Sequence, residues 1–206
     1  MLSPDIALSF TGAAILLALA PGPDNLFVLA LASTHGRKAG MLVVLGLCTG
    51  LIGHTLAVAL GLAAVFAASP TAFFVVRLCG VVYLLYLAWQ SWCAAAQTPD
   101  GVNPYAPGRW ALYRRGIVMN LTNPKVTLFF LAFLPQFTSP EHGSLAAQSM
   151  TLGGLFMLST LVVFGAIAWS AGAIGERLRR RPGIQTLLHR LTAVVFVGLA
   201  IRLARG

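Results

Sequence analysis

The chain has 206 residues, of which 58% are apolar and 9% charged, and its mean hydropathy is +0.83. A soluble domain carries about 25% charged residues, so this composition argues against a soluble globular fold. Fourteen Lys and Arg against five Asp and Glu leave a net charge of +9. These cations sit in short gaps between apolar runs, which points to a membrane and not to nucleic acid.

Six apolar runs are predicted as transmembrane helices, at 4–33, 40–67, 71–96, 113–138, 146–174 and 184–203. Each reaches the length of about 20 residues that a spanning helix needs. The runs are continuous rather than alternating, and they are too long for strands. Lipid also requires backbone groups to be satisfied within the segment, which favours helices. The expected fold is an all-α integral membrane protein, with residues 1–206 as a single transmembrane domain.

The first run contains Ala18-Leu19-Ala20, which has the look of a signal-peptide cleavage site. No Lys or Arg precedes it and Pro21 would follow the cut, so the run is expected to be retained. Within it stands Pro21-Gly22-Pro23-Asp24-Asn25. Two prolines remove two backbone donors and clash with the preceding turn, so a helix cannot run straight through. A restart with Gly22 as N-cap, Pro23 first and Asp24 second is predicted.

The second run holds Gly46-x-x-x-Gly50, a small-residue pattern for close helix contact, expected to pack within the protomer. His54 lies deep in that run, either as a proton relay or bonded to a backbone carbonyl. In the third run, Arg77 either snorkels to the headgroups or acts as a gate charge. Gln90 is expected near an inner vestibule. Trp89, Trp92 and Trp110 are expected at the interface as an aromatic belt. Cys48, Cys79 and Cys93 form neither a disulfide framework nor a metal spacing, and no metal or cofactor is expected.

Residues 97–112, with Pro99, Pro104 and Pro107, form a linker between repeat one (1–96) and repeat two (113–206). The fourth run then repeats the pattern of the first. Asn123 suits an N-cap, Pro124 the first helical position, and Lys125 follows, with Asn120 one turn earlier. Asp24 and Lys125 are 101 positions apart and opposite in sign. Three helices per half give the halves opposite topology, as in inverted-repeat transporters whose discontinuous helices bind substrate near the midplane.

The odd-numbered gaps collect Arg37, Lys38, Arg109, Arg114, Arg115, Arg177, Arg179, Arg180, Arg181 and Arg190, while the even-numbered gaps hold no Lys or Arg. The positive-inside rule then places both termini in the periplasm and the linker in the cytoplasm. The Arg177–Arg181 cluster is expected among anionic headgroups.

With these motifs the sequence resembles the LysE family of bacterial amino-acid exporters, which includes the homoserine/threonine exporters. The resemblance is carried by Pro21-Gly22-Pro23, Asn123-Pro124-Lys125 and Phe133-Leu134-Pro135-Gln136-Phe137, and it covers essentially the whole chain. It implies efflux of amino acids or close derivatives across the inner membrane, driven by the proton motive force. The expected substrate site comprises Pro21, Gly22, Pro23, Asp24, Asn25, Asn120, Asn123, Pro124 and Lys125. Asp24 would meet the substrate's ammonium and carry a proton; Lys125 would meet its carboxylate. A cation in hydrocarbon at a helix N-terminus needs an anion, and two are available: Asp24 and the substrate carboxylate. The alternatives are export of another small solute or metal ion, or an intramembrane enzyme. The latter lacks Gly-x-Ser-x-Gly, His-Glu-x-x-His and paired intramembrane Asp. The expected partners are the amino acid, protons and lipid; a homodimer is compatible with the sequence.

Overall fold

The computed structural model describes residues 2–68, 70–94, 108–180 and 182–205, so most of the linker lies outside the described residues, as do the side chains of the Arg177–Arg181 cluster. The described chain is helical, with no strand among the described residues. Helix α1 (Pro4–Leu19) starts at Ser3, whose hydroxyl oxygen accepts from Ile6 N at 3.4 Å, and it stops before Pro21 and Pro23. Helix α2 (Pro23–His35) starts after Gly22 as predicted and ends at Gly36, whose φ of 84° suits a residue without a side chain. Then come α3 (Arg37–Ala68), α4 (Pro70–Cys93) and α5 (Arg109–Thr122). Helix α6 (Pro124–Leu128) continues into a π turn, Phe129–Phe133, and a 3₁₀ turn, Leu134–Phe137. Helices α7 (Leu145–Arg180) and α8 (Pro182–Arg205) complete the chain.

Each predicted run therefore coincides with a helix or a bent helix pair. The bend is 60° between α1 and α2 and 49° between α5 and the segment Pro124–Phe137. Among the described residues, Arg37–Gly61, Leu145–Ala171 and Gln185–Arg205 are long and apolar enough to cross a membrane; the total is up to five if each of the two bent pairs is one span. Helix α4 carries the remaining run. Large apolar side chains such as Leu8, Leu60, Val82, Val162 and Val194 are exposed along these helices. That is an outer surface built for lipid, where such exposure is not penalised. Trp89, Trp92 and Trp110 are exposed as well, as an interfacial belt requires.

Helix α3 packs on α5 and α7, α4 packs on α8, and both α1 and α2 pack on α7. The glycines of α3 set the first of these contacts. A Cβ on Gly46 would overlap the carbonyl oxygen of Tyr113, and it would lie 3.0 Å from Gly116 Cα. The reciprocal Cβ on Gly116 would overlap Val43 O. Gly50 lies against the Asn120 side chain in the same way. The Gly46-x-x-x-Gly50 pattern thus packs inside the protomer, as expected.

The buried residues form two clusters. One is aromatic and includes Phe10, Phe129, Phe130, Phe133, Phe137 and Phe156. The other is mainly aliphatic, around Val28, Leu31, Val43, Val44 and Leu47. Neighbouring residues of the α1 end divide between them: Leu17 and Ala20 belong to the first, Ala18 to the second. The breaks in the helices fall at this boundary.

Candidate functional site

A helix end leaves up to four carbonyls without intrahelical partners, and inside a membrane no water replaces them. The end of α1 shows how this chain answers that demand. Leu16 O accepts from Ala20 N at 3.0 Å. Ala18 O accepts from Asn25 Nδ2 at 2.7 Å, so Asn25, on α2, folds back to cap the helix it follows. Lys125 Nζ arrives from the other half of the chain and donates to Leu17 O at 3.2 Å and Ala20 O at 3.0 Å.

The second break is built from Asn123. Its Oδ1 accepts from Lys125 N at 3.0 Å, the predicted N-cap bond. Its Nδ2 donates to Asp24 Oδ2 at 2.7 Å. Upstream, Asn120 O at the end of α5 accepts from Asn123 N at 3.1 Å, and His54 Nε2 lies 3.2 Å from the same oxygen, which it can only approach as a donor. The two breaks are therefore cross-linked: Asp24 on α2 holds the cap residue of α6, and Lys125 on α6 holds the end of α1. Pro21, Gly22 and Pro23 supply the break itself. A Cβ on Gly22 would lie 3.2 Å from Lys125 Nζ, so glycine leaves the room this approach needs.

Asp24, Asn25, Asn120, Asn123 and Lys125 are all buried, with Lys125 at 9% exposure and Asp24 at 4%. The structure brings these predicted residues together at the two breaks. Asp24 and Lys125 make no direct ion pair within 4 Å; each is bound to the opposite half instead. Negative potential at Lys125 comes from the Asp24 carboxylate through space and from the carbonyl end of α1, where the aligned peptide dipoles sum to about half a negative charge. Lys125 stands at an N-terminus whose dipole opposes it, and its side chain reaches across to a C-terminus whose dipole favours it.

A cavity of about 20 Å³ lies beside these groups, lined in part by Asp24, Asn120, Lys125, Phe156, Thr160 and Phe164. That volume holds about one water molecule. A solute the size of an amino acid does not fit this volume. Phe156 contacts Phe129 and Phe130 with ring centroids at 5.1 Å, and Phe10, Phe129, Phe133 and Phe137 continue this ring packing at 4.8–5.7 Å. The contribution of α7 was not anticipated, although Ser159-Thr160 are polar residues in an apolar run and were a usable signal.

The other candidate residues lie outside this pair of breaks or at its edge. His54 takes the carbonyl-bonding option, at the α5 end. Arg77 Nε donates to Leu203 O at 2.6 Å and a terminal nitrogen donates to Ala204 O, so it caps the last turn of α8. Gln136 Nε2 joins it on Leu203 O at 3.3 Å. Gln90 is exposed on α4 and does not line the cavity. Among the described residues no group of three or more His, Cys, Asp or Glu could hold a metal. What the site offers is an ammonium, a carboxylate, amides, a hydroxyl and two helix ends.

The LysE type translocator family model matches residues 15–206. An uncharacterized membrane protein of Vibrio cholerae serotype O1 is 30% identical over 198 residues, which is 96% of this chain and 95% of that protein. The homoserine/homoserine lactone efflux proteins of Salmonella typhimurium and Salmonella typhi are each 32% identical over 163 residues, covering 79% of this chain and 77% of theirs. No solved structure matches. The match across nearly the whole length and the two breaks at the site lead to one assignment: the chain belongs to the LysE type translocator family.

Proposed function

We propose that this chain is a secondary exporter of small amino acids or close derivatives across the bacterial inner membrane. The observation that carries the proposal is the pair of crossed contacts between the two breaks, Asp24 with Asn123 and Lys125 with the α1 carbonyls. Each is a polar contact that a zwitterion can replace. The substrate carboxylate draws Lys125 off α1. The carbonyls thus freed, together with Asp24, then accept the substrate ammonium. A ligand that exchanges one set of buried contacts for another can bind without stranding a charge in hydrocarbon. The names of the Salmonella relatives support an amino-acid substrate of this size.

The architecture in this proposal is six transmembrane helices arranged as two inverted repeats, 1–96 and 113–206, with broken first and fourth passes. The helix packing supports it. A two-fold relation exchanges α3 with α7 and α4 with α8; both of these pairs are in contact. The same relation exchanges the α3–α5 contact with the α1–α7 contact, and both occur. Both termini are periplasmic in this arrangement, with the 97–112 linker cytoplasmic. Reporter fusions after Gln97 and Gly206 test the orientation. Asp24 carries the coupled proton inward as the proton motive force drives export.

The deciding experiment is uptake of a panel of radiolabelled amino acids, homoserine included, into inside-out vesicles with an acidic lumen. Gradient-dependent accumulation of one or more of them is expected. Gradient-dependent uptake of none would overturn the proposal.

A further inference from the structure

Ten of the fourteen Lys and Arg residues lie in the odd-numbered gaps, and Lys125 lies at the breaks. The remaining three are Arg77, Arg202 and Arg205. The fold gathers all three at one place, the last turn of α8. The even-numbered gaps, which adjoin this end of the molecule, hold no Lys or Arg.

Capping of α8 accounts for one of the three. Leu203 O accepts from Arg77 Nε and from Gln136 Nε2, and Ala204 O accepts from Arg77 as well. Arg202 and Arg205 take no part in this. Both are exposed, and neither has a hydrogen bond or an ion pair within 4 Å among the described residues. Arg202 is nonetheless held in place. Its guanidinium lies over the Phe137 ring, 4.7 Å from the centroid. A stacked guanidinium keeps its N–H donors, which point outward in its own plane, for another acceptor.

These groups border a groove of about 490 Å³, lined by Gln136, Phe137, Gly198, Ile201, Arg202 and Arg205. Gly198 helps keep it open, since a Cβ there would meet no atom within 4 Å. An apolar stripe leads away from the groove along α8 through Ile201, Val197 and Val194. All three are exposed, at the spacing of one helix face. The groove is thus cationic at the end of the helix and continuous with side chains that face lipid.

We propose that this groove binds an anionic phospholipid of the phosphatidylglycerol type. Its phosphodiester sits between Arg202 and Arg205, and its acyl chains follow the α8 stripe. Guanidinium groups match phosphate oxygens with paired N–H···O bonds, and basic pockets between membrane helices suit anionic headgroups. A glycerol headgroup brings hydroxyls, and Gln136 offers Oε1 as an acceptor because its Nε2 is on Leu203 O. An ethanolamine headgroup brings an ammonium against two guanidiniums and is disfavoured. Inorganic phosphate shares the charge but has no chains for the stripe. The inference is independent of the export reading.

The test follows amide exchange at residues 198–205 of the purified full-length protein in an uncharged detergent. Phosphatidylglycerol, phosphatidylethanolamine or inorganic phosphate is titrated in. Phosphatidylglycerol is expected to slow exchange there at a concentration about tenfold or more below that needed with phosphatidylethanolamine. Inorganic phosphate should neither slow it nor compete. The double change Arg202→Gln with Arg205→Gln should raise the half-saturating phosphatidylglycerol concentration by about tenfold or more. Gly198→Leu, which fills the groove and keeps both charges, should raise it as well. Equal protection by the two lipids, no protection by either, or an unchanged half-saturation in either variant would overturn the proposal. Competition by inorganic phosphate would make the groove a site for free anions and overturn the lipid assignment. The comparison of the two lipids on wild type decides the matter even if a variant fails to insert.

Discussion

Replacing Lys125 by Met keeps the length and apolar stem of the side chain and removes its three donors. Two hydrogen bonds disappear, those to Leu17 O and Ala20 O. A hydrogen bond involving a charged group contributes about 1.5–3 kcal/mol, so the loss is about 3–6 kcal/mol. Met also removes an ammonium from hydrocarbon, which recovers about 2.5–3.5 kcal/mol on insertion scales. Taking the middle of each range, the empty protein is destabilised by about 1.5 kcal/mol. For a chain of this size each kcal/mol moves Tm by about 2–4 °C, so Tm falls by about 3–6 °C. The assay is thermal unfolding of substrate-free protein in detergent, alongside vesicle uptake, which should collapse. Because Asp24 is hydrogen-bonded to Asn123 and couples to Lys125 only through space, adding Asp24→Asn should not fully restore Tm. A Tm at or above wild type, or its full recovery in the double variant, would refute the capping of α1 by Lys125.

Asp24→Asn keeps the volume and an oxygen to accept from Asn123, so Tm should be unchanged while gradient-driven uptake is lost; normal gradient-driven uptake by this variant would end the proton-carrier role. Gly46→Ala drives a methyl group into the Tyr113 carbonyl and against Gly116, backbone on both counts, and should lower stability by about 1–3 kcal/mol, seen as a lower Tm in detergent. Arg77→Ala uncaps α8 and should lower stability by about 1 kcal/mol and speed amide exchange in the last turn of α8, with substrate KM unchanged. A changed KM there would return Arg77 to the transport path.

The helices were legible because hydropathy reports how a segment meets its solvent, and lipid is a simple solvent to detect. The restarts after Gly22 and Asn123 were legible because proline and cap chemistry are local: the residues that cause the break are the residues at the break. The partners of Lys125 were not, since a carbonyl oxygen is the same atom in every residue and carries no sequence mark. Arg77 meets α8 across 126 positions, a distance over which no local rule operates. The end of the fourth pass was read as plain helix, although Pro135 lacks the N–H that Leu131 O would need, and the chain departs from α geometry from Phe129 onward.

The acceptors that cap Lys125 belong to the main chain, and this bears on how such a protein can change. A side-chain ligand can be altered by one codon, but the oxygens of Leu17 and Ala20 survive every substitution at those positions that leaves the break intact. Positions 17 and 20 should therefore respond in a mutational scan to side-chain size, because both are packed in the aromatic cluster, while their carbonyls keep the cation cradle. Positions 21–23, which contact nothing so directly, should look intolerant, because they decide that the helix ends there at all. Evolution of new cargo is then channelled toward α3 and α7, where a change of side chain redraws the wall and leaves the cation cradle in place.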